Sequence, residues 1–399
     1  MGTSQDKINA ALTAHRDGLI ELRRHLHANP ELSNHEFATT KHIAQQLRDL
    51  GLQVHVRPEG LGLYADLTPP GFDPSRDRTV AIRSDLDALP IQEQTELSFA
   101  SCNPGVMHAC GHDMHMATVM GAAVALSEMG DELPGRVRFL YQHAEEVAPG
   151  GAEDLVAFGA MEGVDAVLGL HCDPERPVGR AGVKVGPMTA ASDAFELTIE
   201  GTGGHTARPH HAVDPVYVGV QVAQALYGMG GRLLDARDPV VLAIGVIQAG
   251  KVPNAIPNSV TIKGTVRTLS KKHREESKPW MRKVIEGICA GYGATFSLSF
   301  NEGAPAIHND AQIMGLLEGA AQDVLGGDAI DQIPLPSMGA EDFSYYLEHA
   351  PGAMFRLGTA LPDEPRHLLH TPFFNPSEEA IGLGARILSL AAMRFLSQK

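Results

Sequence analysis

Val80-Ala81-Ile82-Arg83-Ser84-Asp85-Leu86-Asp87 is a short apolar run that stops at two carboxylates. The pattern recurs twice. The run 137–141 (Val-Arg-Phe-Leu-Tyr) is followed by the pair Glu145-Glu146, and the run 166–170 (Ala-Val-Leu-Gly-Leu) leads straight into His171. Runs of this length and composition read as buried strands. Chemistry-bearing residues placed just past the C-terminal ends of strands are how open α/β sheets hold their ligands.

Outward from these runs the periodicity predicts further elements. Ile8, Leu12, Leu19, Leu22 and Leu26 fall on one helical face, which predicts a first helix over 6–27, ended by Asn29-Pro30. A second helix is expected over 36–50, with Gly51 as the residue past its end. Strands are expected at 53–57 and 63–67, and helices at 114–129, 151–158, 311–325 and 377–396. Alternating strands and helices predict an α/β class with a mostly parallel sheet flanked by helices. After Pro187 the order changes: strand 194–200, helix 214–227, strands 240–248 and 260–268, helix 275–292, strand 295–300. This β-α-β-β-α-β order predicts an inserted ferredoxin-like α+β domain. The expected division is residues 1–187 and 302–399 for the first domain and 188–301 for the insertion.

At 399 residues two domains are the natural expectation. A net charge of −16 argues against a nucleic-acid-binding face, which needs a basic footprint. No stretch approaches the length of a membrane span, and the first residues lack the basic-then-apolar pattern of a secretory leader. Four cysteines are too few for a disulfide framework in a chain this long, so a cytoplasmic location is expected.

Met107-His108-Ala109-Cys110-Gly111-His112-Asp113-Met114-His115 concentrates a thiol, three imidazoles and a carboxylate in nine residues. Cys110 and His112 flank a glycine that allows unusual backbone angles, so both can reach one ion. Thiolate, imidazole and carboxylate together suit zinc or a neighbouring transition metal rather than magnesium or calcium. Glu145-Glu146 precedes Pro149-Gly150-Gly151. Adjacent residues in extended chain point apart, so one carboxylate is expected on metal and the other on substrate, the division that metal-assisted hydrolysis needs. Asp87 can orient a ligand histidine from behind. His171 and His370 complete the set, and the roles of His108 and His115 stay open.

These residues resemble the metal-dependent amidohydrolases and metallopeptidases of the aminoacylase and carboxypeptidase superfamily. Within it the chain is most similar to hippurate hydrolases, N-acyl-amino-acid amidohydrolases and auxin-conjugate hydrolases. The resemblance runs from Arg24-His25-Leu26-His27-Ala28-Asn29-Pro30-Glu31, through 82–90, 107–115, 143–146, 203–210, 254–258 and 338–343, to Leu369-His370-Thr371-Pro372. It implies a metallo-exopeptidase-like catalytic domain with a dimerisation and lid domain inserted into it. It implies two divalent metal ions held by Cys110, His112, Glu146, His171 and His370, with zinc or manganese ahead of cobalt or nickel. It makes Glu145 the general base and later acid, and Asp87 the support of the site. His205 would reach a neighbouring subunit's site and stabilise the oxyanion. Asn254 and Arg267 would contact the substrate carboxylate, and the partner would be a second copy, in a homodimer.

Two departures stand out. Distant relatives carry a metal-binding histidine where this chain has Asp85, so Asp85 is left out of the ligand set. His143 replaces a common proline before the glutamate pair. The expected activity is hydrolysis of N-acyl amino acids to a carboxylic acid and a free amino acid. A metallo-carboxypeptidase or dipeptidase on the same scaffold is the alternative. A structural zinc protein would call for a closed, cysteine-rich ligand set.

Overall fold

The structure is a computed structural model and describes residues 3–362 and 364–398. The chain divides into two compact units, one of Met1–Gly186, His308–Leu335 and Asp342–Lys399, the other of Pro187–Ile307 and Pro336–Glu341.

The first unit is built on an eight-stranded sheet. Its spatial order is Gln53–Val56, Leu63–Leu67, Arg136–Gln142, Thr79–Asp85, Ala166–Pro177, Gly352–Ala360, Ala181–Val183 and Ile330–Gln332. The central four strands, from Arg136–Gln142 to Gly352–Ala360, are mutually parallel, and antiparallel pairings flank them on both sides. Every residue of Thr79–Asp85 is buried, because helices cover both faces of a parallel sheet. That is why its sequence is a continuous run rather than an alternation.

Two expected strands prove longer, and the difference moves site residues. Asp85 is the last residue of its strand, not a residue beyond it. His171 lies inside Ala166–Pro177. The ladder between this strand and Thr79–Asp85 stops at Gly169, while the ladder with Gly352–Ala360 carries on past His171. His171 has therefore left the central ladder on one side and is kept extended by the other. Gly352–Ala360 itself was not anticipated from the sequence.

The first expected helix is two, Ser4–Ala14 and Arg16–Ala28, broken at His15. The seven-residue step from Leu12 to Leu19 fits an unbroken helix equally well, so periodicity cannot reveal the break. Phe37–Asp49 ends as expected, with Gly51 at φ +82°. Helix His112–Ser127 is buried from His112 to Leu126 and packs against Arg16–Ala28 and Glu379–Leu396. Its start is tied down by Asp113, which accepts from Arg23 Nε at 2.9 Å and lies 2.9 Å from His27 Nδ1. Burial opposes that charge, yet Arg23 and His27 hold Asp113 well below the usual carboxylate range.

The second unit carries a four-stranded antiparallel sheet in the order Val240–Ala249, Ser259–Thr268, Ala191–Glu200, Thr295–Glu302. Helices Pro215–Tyr227 and Lys271–Tyr292 cover it, with Phe195, Leu197, Ile199, Val222, Ile262 and Ile285 in the core. Asp214 caps the first helix by accepting from the Val216 and Tyr217 N–H groups, and Ser270 caps the second. Among the described residues, no helix is long and apolar enough to cross a membrane.

Candidate metal centre

Gly111 stands at φ +87° immediately before helix His112–Ser127. A Cβ there would lie 3.0 Å from Cys172 Sγ, so glycine is required both by the backbone angle and by the close approach. The turn presents Cys110 and His112 together. His370, itself at φ +61°, is fastened to the same turn by its N–H, which donates to the Ala109 carbonyl at 2.8 Å.

Several groups of three donors lie within 4.8 Å of one another, His112, Glu145 and Glu146 among them, and two of these groups share Cys110. One is Cys110, His112 and His171, and the other is Cys110, Glu146 and His370. Cys110 Sγ is 3.5 Å from His171 Nε2 and 3.3 Å from His370 Nε2, and Glu146 Oε1 is 3.2 Å from His370 Nε2. The ring nitrogens of His171 and His112 turned away from the centre each face an oxygen. His171 Nδ1 donates to the Cys172 carbonyl at 2.8 Å, and His112 Nδ1 lies 3.2 Å from Asp87 Oδ1. Metal-ligating imidazoles are oriented in this way.

The electrostatics favour a cation. Burial opposes a charge on His112, but Asp85, Asp87 and Glu146 push it up to about 10. Burial and the Glu146 and Glu145 carboxylates push the Cys110 thiol well up, so it loses its proton only when positive charge arrives. Burial, with Arg356 adding to it, holds His171 well below its usual value and so in the neutral form that ligates. His112 Nε2 and Glu146 Oε1 are buried with no hydrogen-bond partner among the described residues. Buried polar atoms left so are costly unless a ligand satisfies them. A transition-metal ion fits this donor set.

Glu145 and Glu146 do not point apart. Glu145 Oε2 and Glu146 Oε1 lie 3.9 and 3.8 Å from the same atom, His112 Nε2. The strand Arg136–Gln142 has already ended, and Ala144 at φ +51° bends the chain so that both carboxylates converge.

Asp85 and His115 form a support that the sequence left undecided. Asp85 Oδ2 accepts from Arg83 Nη1 at 2.6 Å, and Asp85 Oδ1 lies 2.7 Å from His115 Nδ1. His115 Nε2 in turn accepts the Cys172 N–H at 2.9 Å. Both Asp85 oxygens are engaged, and the chain of bonds ends on the residue next to His171. His143 Nε2 lies 3.1 Å from Arg57 and 3.2 Å from Asp154.

The structure thus brings Cys110, His112, Glu145, Glu146, His171, His370 and Asp87 together within the first unit. His205, Asn254 and Arg267 belong to the second. His205 and Asn254 are exposed, and His205 Nδ1 accepts the Ala207 N–H at 3.0 Å. Arg267 Nη1 donates to the Met338 carbonyl at 2.8 Å. Sequence reasoning missed Ser33 and Glu36, which bond to Asp87 and to the Ala144 N–H. Their partners lie 54 and 108 residues away, so no local spacing marks them.

A match to peptidase family M20/M25/M40 spans residues 81–394. The chain is 42% identical over 308 residues to the N-acyl-L-amino acid amidohydrolase of Geobacillus stearothermophilus, covering 77% of this chain and 82% of the relative. It is 37% identical over 384 residues to thermostable carboxypeptidase 2 of Saccharolobus solfataricus, covering 95% of each. It also matches the crystal structure of the Bacillus subtilis YXEP protein, described as a dinuclear metal binding peptidase, with a TM-score of 0.84 and 36% identity over 97% of this chain and all of that one. With this site and these relatives, the chain belongs to peptidase family M20/M25/M40, in the superfamily of metal-dependent amidohydrolases and metallopeptidases, and is a hydrolase.

Proposed function

We propose that the protein hydrolyses the amide bond of N-acyl amino acids of the hippurate type, using two divalent ions, zinc or manganese. The observation that carries this is the pair of triads sharing Cys110, with the Glu145 and Glu146 carboxylates both near His112 Nε2. Cys110, His112 and His171 would hold one ion, and Cys110, Glu146 and His370 the other. When bound, the ions supply the positive charge that acidifies an attacking water and polarises the amide carbonyl.

The chain's own residues do the rest. Glu145 takes a proton from the attacking water and delivers it to the leaving nitrogen. A C–O bond forms, the C–N bond breaks, and the products are a carboxylic acid and a free amino acid. Asp87 keeps His112 turned toward the centre. His205 has its Nδ1 occupied as an acceptor, so its neutral ring carries a proton on Nε2, which suits it to donate to an oxyanion. In this reading His205 comes from a second copy of the chain, and Asn254 and Arg267 meet the substrate carboxylate. A homodimer is supported by the edge strand Val240–Ala249, whose outer side pairs with no strand among the described residues, with Val241, Val246 and Ile247 exposed, and by Val216, Tyr217 and Val220 exposed on Pro215–Tyr227.

The carboxypeptidase relative favours one second reading, a carboxypeptidase or dipeptidase with the same centre. Release of free amino acid from a panel of N-acyl amino acids and dipeptides, N-benzoylglycine included, separates the two on protein reloaded with zinc or manganese. Turnover of acylated amino acids over dipeptides is expected. Turnover confined to dipeptides establishes the second reading, and silence under every metal overturns both.

A further inference from the structure

Glu36 is fully buried at the N-terminal end of helix Phe37–Asp49, yet its side chain makes no capping hydrogen bond there. The N–H groups of its second and third residues, Ala38 and Thr39, are met by Glu31 instead. Glu36 Oε1 accepts the N–H of Ala144 at 2.7 Å, and Oε2 has no hydrogen-bond partner among the described residues. Ala144 sits at φ +51°, in the left-handed region that a side-chain-bearing residue rarely adopts. The next two residues are Glu145 and Glu146.

The same segment fastens the loop a second time. Ser33 Oγ donates to Asp87 Oδ2 at 2.6 Å, and that oxygen also accepts the Glu146 N–H at 3.0 Å. Glu145 therefore lies between two anchored amides, one held by Glu36 and one through Asp87. A carboxyl group so buried is costly to keep. Burial, with the Asp87 carboxylate adding to it, pushes Glu36 up to about 7 against the N–H groups of Ala144, Glu36 itself and Asn34, which favour the charged form. The hydrogen bond of its Oε1 goes to the turn that leads into the proposed base.

We propose that Glu36 is a positioning residue for hydrolysis, holding the left-handed Ala144 turn and thereby aiming the Glu145 carboxylate. The proposal rests on Glu145 being the proton-transfer group. Glu146 keeps its own anchor through Asp87, so loss of the Glu36 bond misplaces Glu145 and spares the metal ligands.

Glu36→Ala and Glu36→Gln in the full-length, metal-loaded protein test this. Glu36→Gln keeps a carbonyl acceptor for the Ala144 N–H. Glu36→Ala is expected to lose ~10–100-fold in kcat, the scale of a misplaced reacting group, with KM and metal content unchanged. Glu36→Gln is expected to stay close to wild type. Amide hydrogen exchange across residues 143–147 should quicken in Glu36→Ala and not in Glu36→Gln. Should Glu36→Ala fail to fold, Glu36→Asp takes its place, since it withdraws the acceptor by one methylene. Wild-type kcat without the acceptor, a kcat loss matched by metal loss, or equal damage in Glu36→Gln would each overturn the proposal. If Glu145→Gln proves active, the base assignment fails, and the exchange measurement still reports whether Glu36 holds the turn.

Discussion

Asp87 Oδ1 lies 3.2 Å from His112 Nδ1, while the other oxygen of the same carboxylate accepts from Ser33 Oγ and the Glu146 N–H. One buried side chain thus sets the orientation of an imidazole in one triad and the backbone of a carboxylate in the other. Asp87→Ala removes both holds. Metal affinity should fall ~10–100-fold, the usual loss when such a support is removed, and turnover should fall with it at limiting metal. Calorimetric titration of zinc or manganese into chelator-treated protein measures it, and wild-type affinity in the variant would refute the role.

The convergence of Glu145 and Glu146 on His112 Nε2 makes their division of labour testable by metal content alone. Glu146→Gln should lower the bound metal, because Glu146 shares a triad with Cys110 and His370. Glu145→Gln should keep the metal and lose turnover by more than about 100-fold, the lower range for a general base. Elemental analysis beside single-turnover rates decides, and the reverse pattern would exchange the two roles.

His115 joins Asp85 to the Cys172 N–H. His115→Leu leaves that buried N–H without its acceptor, at a cost of ~1–3 kcal/mol. The loss should appear in denaturant unfolding, and metal affinity should weaken because His171 is the adjacent residue. Unchanged stability together with unchanged affinity would show that the relay supports nothing.

Glu36 sets a pH dependence of stability. The folded protein keeps its proton up to about pH 7, whereas the ordinary value is 4.5. Between those values the folded state binds more protons than the unfolded one, so this group's contribution falls as pH rises and then levels off. Glu36→Gln lacks the term. Its melting temperature relative to wild type should climb from pH 5 to pH 7 and stay constant above. A difference that does not vary with pH would mean that Glu36 ionises normally.

If His205 serves a neighbouring copy, inactive Glu145→Ala and His205→Ala proteins should regain part of the activity when their subunits are mixed. One wild-type site then forms in each mixed dimer. Mixed dimers that stay inactive would confine His205 to another role.

The sequence alone determined the α/β grammar, the ferredoxin-like strand order and the identity of the clustered donors. Each of these is written in short-range information: apolar periodicity, the Cys110-Gly111-His112 turn, the Glu145-Glu146 pair. Only the tertiary structure decided that two triads share one thiol, that the two glutamates converge, and that His171 stays within a strand. It alone revealed the hydrogen bonds of Ser33 to Asp87, Glu36 to the Ala144 N–H and His115 to the Cys172 N–H. The physical reason is distance along the chain. Their hydrogen bonds close over 54, 108 and 57 residues, so they exist only once the sheet has brought the segments side by side.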